Sequence, residues 1–377
     1  MNRIRISAVI RSLSAVALFA ASFAFVQGGA SASSASPGAV YTLTNASAGN
    51  AVAVFNRSPH GDLTPAGTVA TGGLGTGAGL GSQGAVVLSA NGRWLFAVNA
   101  GSDDISVLEV YNGGVELALV DREPSGGDLP ISVTSHGNLL YVLNAGTPNN
   151  ITGFRVGKDG TLSPIPGSTR ALSGASVGPA QVSFDPVGDV LVVTEKATNK
   201  IDAFPVGLDG VPGQAVVHDS AGMTPFGFAF DNLGRVFVSE AFGGAANASA
   251  LSSYTLLANG ALGTVSASVP THQTAACWTA VSGRYAYTTN AGSGSVSGYR
   301  IAPDGSVTLL DADGRTGETG AGSSPIDAGL SANGRFLYVL TAASHQIVPF
   351  EMHADGSLTA MGAVTGLVPG TVGLAAR

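Results

Sequence analysis

The chain has 377 residues, of which 54 are Gly, 45% are hydrophobic and 11% are charged, with a formal net charge of −7. That balance excludes an intrinsically disordered chain, and the acidic excess makes nucleic acid and anionic membrane surfaces poor partners. One cysteine, Cys277, excludes an internal disulfide, so burial and strand pairing must hold the fold.

In chain order, the first segment places Arg3, Arg5 and Arg11 ahead of a largely apolar run from Leu13 to Val26, followed by Ala30-Ser31-Ala32. A basic start, an apolar stretch too short for a comfortable bilayer span and a small-x-small site predict a secretory signal over residues 1–32, cut after about Ala32. Residues 33–37 then form a short Ser-rich linker, and 38–377 a single domain. The expected product is a secreted or periplasmic monomer with no membrane attachment after cleavage and a Cys277 buried as a small hydrophobe.

From residue 39 onward the sequence repeats. One turn type recurs as SANGR (89–93), SHGN (135–138), DPVGD (185–189), DNLGR (231–235), SGR (282–284) and SANGR (331–335). A second recurs as HGD (60–62), NGG (112–114), KDG (158–160), LDG (208–210), ANG (258–260), PDG (303–305) and ADG (354–356). Each sits between β-rich runs, and glycine supplies the positive φ of a tight hairpin. The unit of strand, Gly turn, strand, polar loop, strand, Gly turn, strand repeats roughly every 45–54 residues, which predicts an all-β, seven-bladed β-propeller of four-stranded antiparallel blades.

Six turns of the first type against seven of the second mean that the unit beginning at AVYTLTN (39–45) lacks its own innermost strand. The tail TVGLAA (371–376), after Pro369-Gly370, predicts that strand, so the C-terminal strand closes the ring. Both Gly turns of a blade fall on one face of the ring. The other, irregular face carries the blade-to-blade crossovers and the loops beginning near Asn45, Asn99, Asn144, Glu195, Glu240, Asn290 and Thr341, and function is expected there. Pro130, Pro179, Pro225 and Pro325 open innermost strands, where a missing amide is tolerated.

Two motifs dissolve in this context. Gly79-x-Gly81-x-x-Gly84 lacks the strand before and helix after that a dinucleotide site needs, and Gly174-x-Ser176-x-Gly178 runs into Pro179 and a strand rather than the helix of a nucleophile elbow. The six histidines show no zinc-ligand spacing, and only His272 and His345 fall on the irregular face. The remaining signal is a pair of carboxylates: in LVVTEKATNKIDAF (191–204) and VFVSEAFGG (236–244), Glu195 and Glu240 stand where other units carry Asn99, Asn144 and Asn290. Carboxylates on adjacent blades predict either one site at the channel mouth, activating water or holding a divalent cation, or two acids that each tie down a loop beside Lys196 or Lys200.

With the units in register, LSANGRFLYVLTAASHQIVPFEMHADGSLT (330–359) and GPAQVSFDPVGDVLVVTEKATNKIDAFPVGLDG (178–210) resemble the lactonase-family seven-bladed propellers, over essentially all of residues 38–377. The resemblance implies an active site of His, Arg and Glu at the channel mouth. The positions matching the family histidine here are Gly84, Ala180, Phe226 and Ile326, with Ile131 and Cys277 nearest in two shorter units. Glu195 and Glu240 match the strand-end glutamate. The implied catalytic set is Glu195, Glu240 and His272, with Gln181, Phe226, Trp278, Asn99, Asn144 and Asn290 around the substrate and no cofactor beyond a divalent cation. The implied substrate is a small non-phosphorylated lactone or ester, since the irregular face is poor in the Lys and Arg that recognise phosphate. The alternative is a non-catalytic scaffold for an envelope glycan, peptide or protein.

Overall fold

A computed structural model describes residues 38–377; the expected signal (1–32) and linker (33–37) lie outside the described residues. Seven antiparallel sheets, each built on a path of four strands, follow one another around a ring, and the only helical elements among the described residues are two three-residue 3-10 turns, Asn112–Gly114 and Phe242–Gly244. Blade 1 contains Gly38–Leu43, Ala51–Arg57 and Leu63–Ala70, and blades 2 to 7 open with the innermost strands Val86–Leu88, Pro130–His136, Pro179–Phe184, Pro225–Phe230, Ala276–Ser282 and Pro325–Leu330. In blades 3, 6 and 7 the outermost strand is broken into two short pieces that pair with the same neighbour.

Ring closure follows the turn count. Val372–Ala376 pairs antiparallel with Gly38–Leu43 through Val40↔Ala376, Tyr41↔Ala375 and Leu43↔Val372, and so supplies the innermost strand of blade 1. Thr42 adds a side-chain bond to the Val372 carbonyl at 3.1 Å.

The second strand of a blade is covered on both faces by neighbouring blades. Trp94–Asn99, Val190–Glu195 and Phe336–Thr341 are therefore buried at every position and read as continuous apolar runs rather than alternating ones. The rim strand Leu63–Ala70 is mostly exposed. On the glycine-turn face four of the seven seams between blades share one device, in which a buried tyrosine donates to the turn carbonyl of the next blade. Tyr41 reaches Gly114 and Tyr141 reaches Gly210, both at 2.5 Å; Tyr287 reaches Gly356 at 2.9 Å and Tyr338 reaches Gly61 at 3.0 Å. Glycine is required in these turns twice over: Gly160 has φ +89° and a Cβ there would overlap the Trp94 ring of the preceding blade.

The irregular face repeats a different knot. The residue before the innermost strand lies in left-handed backbone in five blades, at Leu129, Gly178, Thr224, Ala275 and Ser324. Each carbonyl there accepts the N–H just past the second strand, from Ala145, Lys196, Ala241, Ala291 and Ala342 respectively, at 2.8–3.0 Å. One residue of this second set is not alanine.

Candidate functional site

The strand-end acids are enclosed within their own blades. Glu195 is fully buried; its carboxylate accepts the Ser173 N–H at 3.0 Å and hydroxyl bonds from Ser173 and Thr198. Glu240, also fully buried, accepts from Ser252 at 2.5 Å and from Ser268. The two share no partner, so the geometry describes two tie-points for incoming crossovers and outer strands rather than one pair flanking a ligand. The partners are serines and a threonine, not the expected lysines, because Lys200 instead pairs with Asp219 at 2.9 Å on the surface.

Asn99 does the same work in blade 2, accepting from Thr71 at 2.7 Å and donating to Asp104 and Ser106 at 2.6 and 2.8 Å. Asn144 donates to the Ser125 carbonyl and to Asn150, and Asn290 to Ser295 and Ser297. All three are fully buried. The three asparagines expected around a substrate form one crossover brace instead, and glutamate is its longer variant.

Blade 4 adds a second acid to its brace. The Ser173 N–H donates to Asp202 at 2.9 Å as well as to Glu195. Burial first, and then the adjoining Glu195 carboxylate, push the Asp202 pKa up to about 8, so this carboxyl carries a proton at neutral pH. Burial likewise raises Glu240 above the ordinary carboxylate range. His272 lies elsewhere, exposed in the crossover before blade 6 with φ +57°, and is not brought to either glutamate by any bond. Among the described residues no group of three or more His, Cys, Asp or Glu converges in a way that could hold a metal ion, so the expected divalent cation finds no such cluster.

What the irregular mouth does gather is apolar. Ala180, Phe226, Ala241, Cys277 and Trp278 form one buried cluster, with Ala275, Ala291 and Ile326 packed against it. Four of the positions matching the family histidine therefore do meet, as Ala180, Phe226, Cys277 and Ile326. The Phe226 and Trp278 rings lie 4.9 Å apart, tilted by 52°. Burial pushes the Cys277 thiol up to about 12, which leaves it protonated and inert.

One charged group enters this cluster. Lys196 follows Glu195 at the register where the other blades carry Ala100, Ala145, Ala241, Ala291 and Ala342. Its Nζ lies 4.7 Å from the Phe226 ring centroid and donates to the Gly81 carbonyl at 2.5 Å. Burial lowers its pKa to about 8. The register that sets Glu195 apart from the asparagines also sets its neighbour apart, as a lysine where five other blades carry alanine.

The crossover 72–84 runs over this cluster. Trp278 Nε1 donates to the Ser82 carbonyl at 2.8 Å, and Ser82 Oγ donates to the Ile131 carbonyl at 2.8 Å. Gln83 leaves blade 2 and binds blade 6 with both ends of its amide, donating to the Thr279 carbonyl at 2.8 Å and accepting the Thr279 N–H at 3.0 Å. Its backbone N–H donates to the Ala180 carbonyl at 3.1 Å. This glycine-rich crossover is thus a strap tied to blades 3, 4 and 6. Gln181 makes the analogous two-ended bond to Phe228, at 3.0 and 2.7 Å, and faces the channel below the strap.

Comparison with known proteins fits this geometry. The profile of the family described as Lactonase, 7-bladed beta-propeller matches residues 38–177 and 181–372. Among solved structures, a Bacteroides fragilis protein proposed as a 6-phosphogluconolactonase superposes with a TM-score of 0.70 at 18% identity, covering 92% of this chain and 99% of its own. The Pseudomonas aeruginosa periplasmic gluconolactonase PpgL superposes with a TM-score of 0.69 at 18% identity, covering 89% and 98%. At such identities the likeness is one of fold. No curated protein sequence matches the chain.

Proposed function

This chain belongs to the lactonase family of seven-bladed β-propellers, and from that premise we propose that it is an exported hydrolase of a small, uncharged lactone or ester, bound at the irregular mouth against Phe226 and Trp278. The observation that carries the reading is the enclosed amine of Lys196, the one cation in an apolar mouth. A flat ring lies on the aromatic pair, and the ammonium meets the carbonyl oxygen. Water adds to the carbonyl carbon, the ring C–O bond breaks, the leaving oxygen takes a proton, and a hydroxy acid departs. Lys196 stabilises the charge that grows on the carbonyl oxygen, and in a dry site such a donor contributes on the order of 10²–10³ in rate. A phosphorylated substrate is disfavoured, because a single lysine against aromatic rings offers poor compensation for a dianion. The strap must yield for a substrate to reach the rings, and seven glycines between Gly72 and Gly84 give it the freedom to do so.

The test is turnover of a panel of neutral and phosphorylated lactones by the purified protein, with and without EDTA and divalent metals. Neutral lactones are expected to be opened, and Lys196→Met to lower kcat/KM by about 100-fold. Since the cation is the working form and its pKa is held near 8, turnover should fall as pH rises through about 8. A second reading, binding of an envelope glycan or peptide without turnover, is favoured by one observation: Glu195 and Glu240 are committed to their own blades and supply no base at the mouth. Ligand binding that Lys196→Met weakens, with no panel member hydrolysed, would select it.

A further inference from the structure

Below the strap the channel contains a cavity of about 160 Å³, lined among others by Gln83, Thr134, Gln181, Ser183 and Asp327. Asp327 stands on the innermost strand of blade 7 and is 1% exposed. One carboxylate oxygen, Oδ1, accepts the Ala328 N–H at 2.8 Å; the other, Oδ2, is buried without a well-formed hydrogen bond, the Leu374 N–H being the one further donor near the carboxyl. No other charged side chain lines the cavity. The polar side chains around it are already engaged: Gln83 and Gln181 with backbone across the ring, Thr134 with the Phe184 N–H, and Ser183 with the Phe184 carbonyl.

A buried carboxyl so poorly satisfied costs free energy unless it keeps a proton or faces a positive charge. The wall offers the second course. Each innermost strand pairs with its blade on one edge only, and the cavity those strands line carries the side-chain oxygens of Gln83, Thr134, Gln181 and Ser183 beside Asp327. Oxygen ligands without nitrogen or sulfur suit a hard cation. One carboxylate balances a single positive charge, whereas a divalent ion would leave net charge in a buried place. A volume of this size admits a small ion and a few waters, at about 30 Å³ per water.

We propose that Asp327 anchors a monovalent alkali cation in the central channel, beneath the strap and separate from the mouth. The ion ties blade 7 to the inner edges around it and stabilises the closed ring by binding only the folded state. The proposal is independent of any turnover at the mouth, and its test reads none.

The experiment compares thermal melting of the whole protein at pH 8 in sodium, potassium and choline chloride at equal ionic strength, alone and with calcium or magnesium added, for the wild type and Asp327→Asn. The expected result is a saturable rise in Tm of several degrees with sodium or potassium over choline, absent in Asp327→Asn. Sodium-23 NMR of the wild type, with potassium as competitor, reads the ion directly and decides the matter if the variant does not fold: broadening reversed by potassium supports the site. Equal melting in all three monovalent salts, the same shift in Asp327→Asn, or a response to divalent ions only would overturn it.

Discussion

The two faces of the ring use repetition differently. On the glycine-turn face a buried tyrosine of one blade donates to the turn carbonyl of the next at four seams, while Phe96, Val192 and Phe237 stand at the same strand position in the other three blades. On the irregular face the repeated knot is made of backbone, from the carbonyls of Leu129, Thr224 and their equivalents. Its side chains are thereby released to differ, as glutamate or asparagine in the brace and as lysine or alanine at the mouth. One face repeats a side-chain contact, and the other repeats only a backbone one.

Removing residues 370–377 breaks this contrast most severely. The innermost strand of blade 1 would be lost with the buried Val372 and Leu374, and both inner edges at the junction opened. A loss of more than about 4 kcal/mol, or failure to fold, is expected by denaturant titration. Unchanged melting would show that the ring does not depend on that strand.

A second variant probes the doubled brace. Asp202 ionises near its ordinary value when unfolded and near 8 when folded, so between about pH 4 and 8 the folded state holds more protons. Its contribution is complete below that window and is lost as pH rises through it. Asp202→Asn should remove this part of the decline, on the order of a few kcal/mol, measured as a shallower fall in Tm between pH 4 and 8. The raised carboxyl of Glu240 keeps part of the remaining slope.

Smaller again is the seam. Tyr141→Phe leaves the Gly210 carbonyl without its donor and should cost about 1–3 kcal/mol with no effect on binding at the mouth. Lys196→Met is the mirror image: stability within about 1 kcal/mol of wild type, since the methionine stem fills the same space, with the loss falling on the mouth. If the tyrosine variant weakened ligand binding and the lysine variant unfolded the protein, the division between the faces would be wrong.

The architecture was legible because glycine turns, buried strand runs and the count of six against seven are dictated by backbone geometry, which leaves a mark at every repeat. Part of the irregular face was legible as geometry alone: Phe226 lies against Trp278, and Gln181 lines the channel. The brace was not, because Glu195 and Lys196 are adjacent and successive side chains at a strand end point to opposite sides. A pattern that singles out both residues cannot say which one turns toward the axis. Nor does a sequence show that a run of glycines, 72–84, crosses an opening, since its ties are carbonyls and one glutamine rather than any recognisable motif. Asp327 was invisible for a related reason: its significance lies in an oxygen without a well-formed hydrogen bond.

The closing strand also sets an order of events. Thr42 and Val372 are bonded although 330 residues apart, whereas the other six blades are assembled from neighbouring segments. Entropy hardly distinguishes the two cases, since each doubling of a loop adds only about 0.6 kcal/mol. Time does, because contacts of such separation form late. Six blades can therefore mature as the chain emerges, while blade 1 stays three-stranded with an open edge until the final residues arrive. The chain is most exposed to pairing with a second copy of itself in that interval.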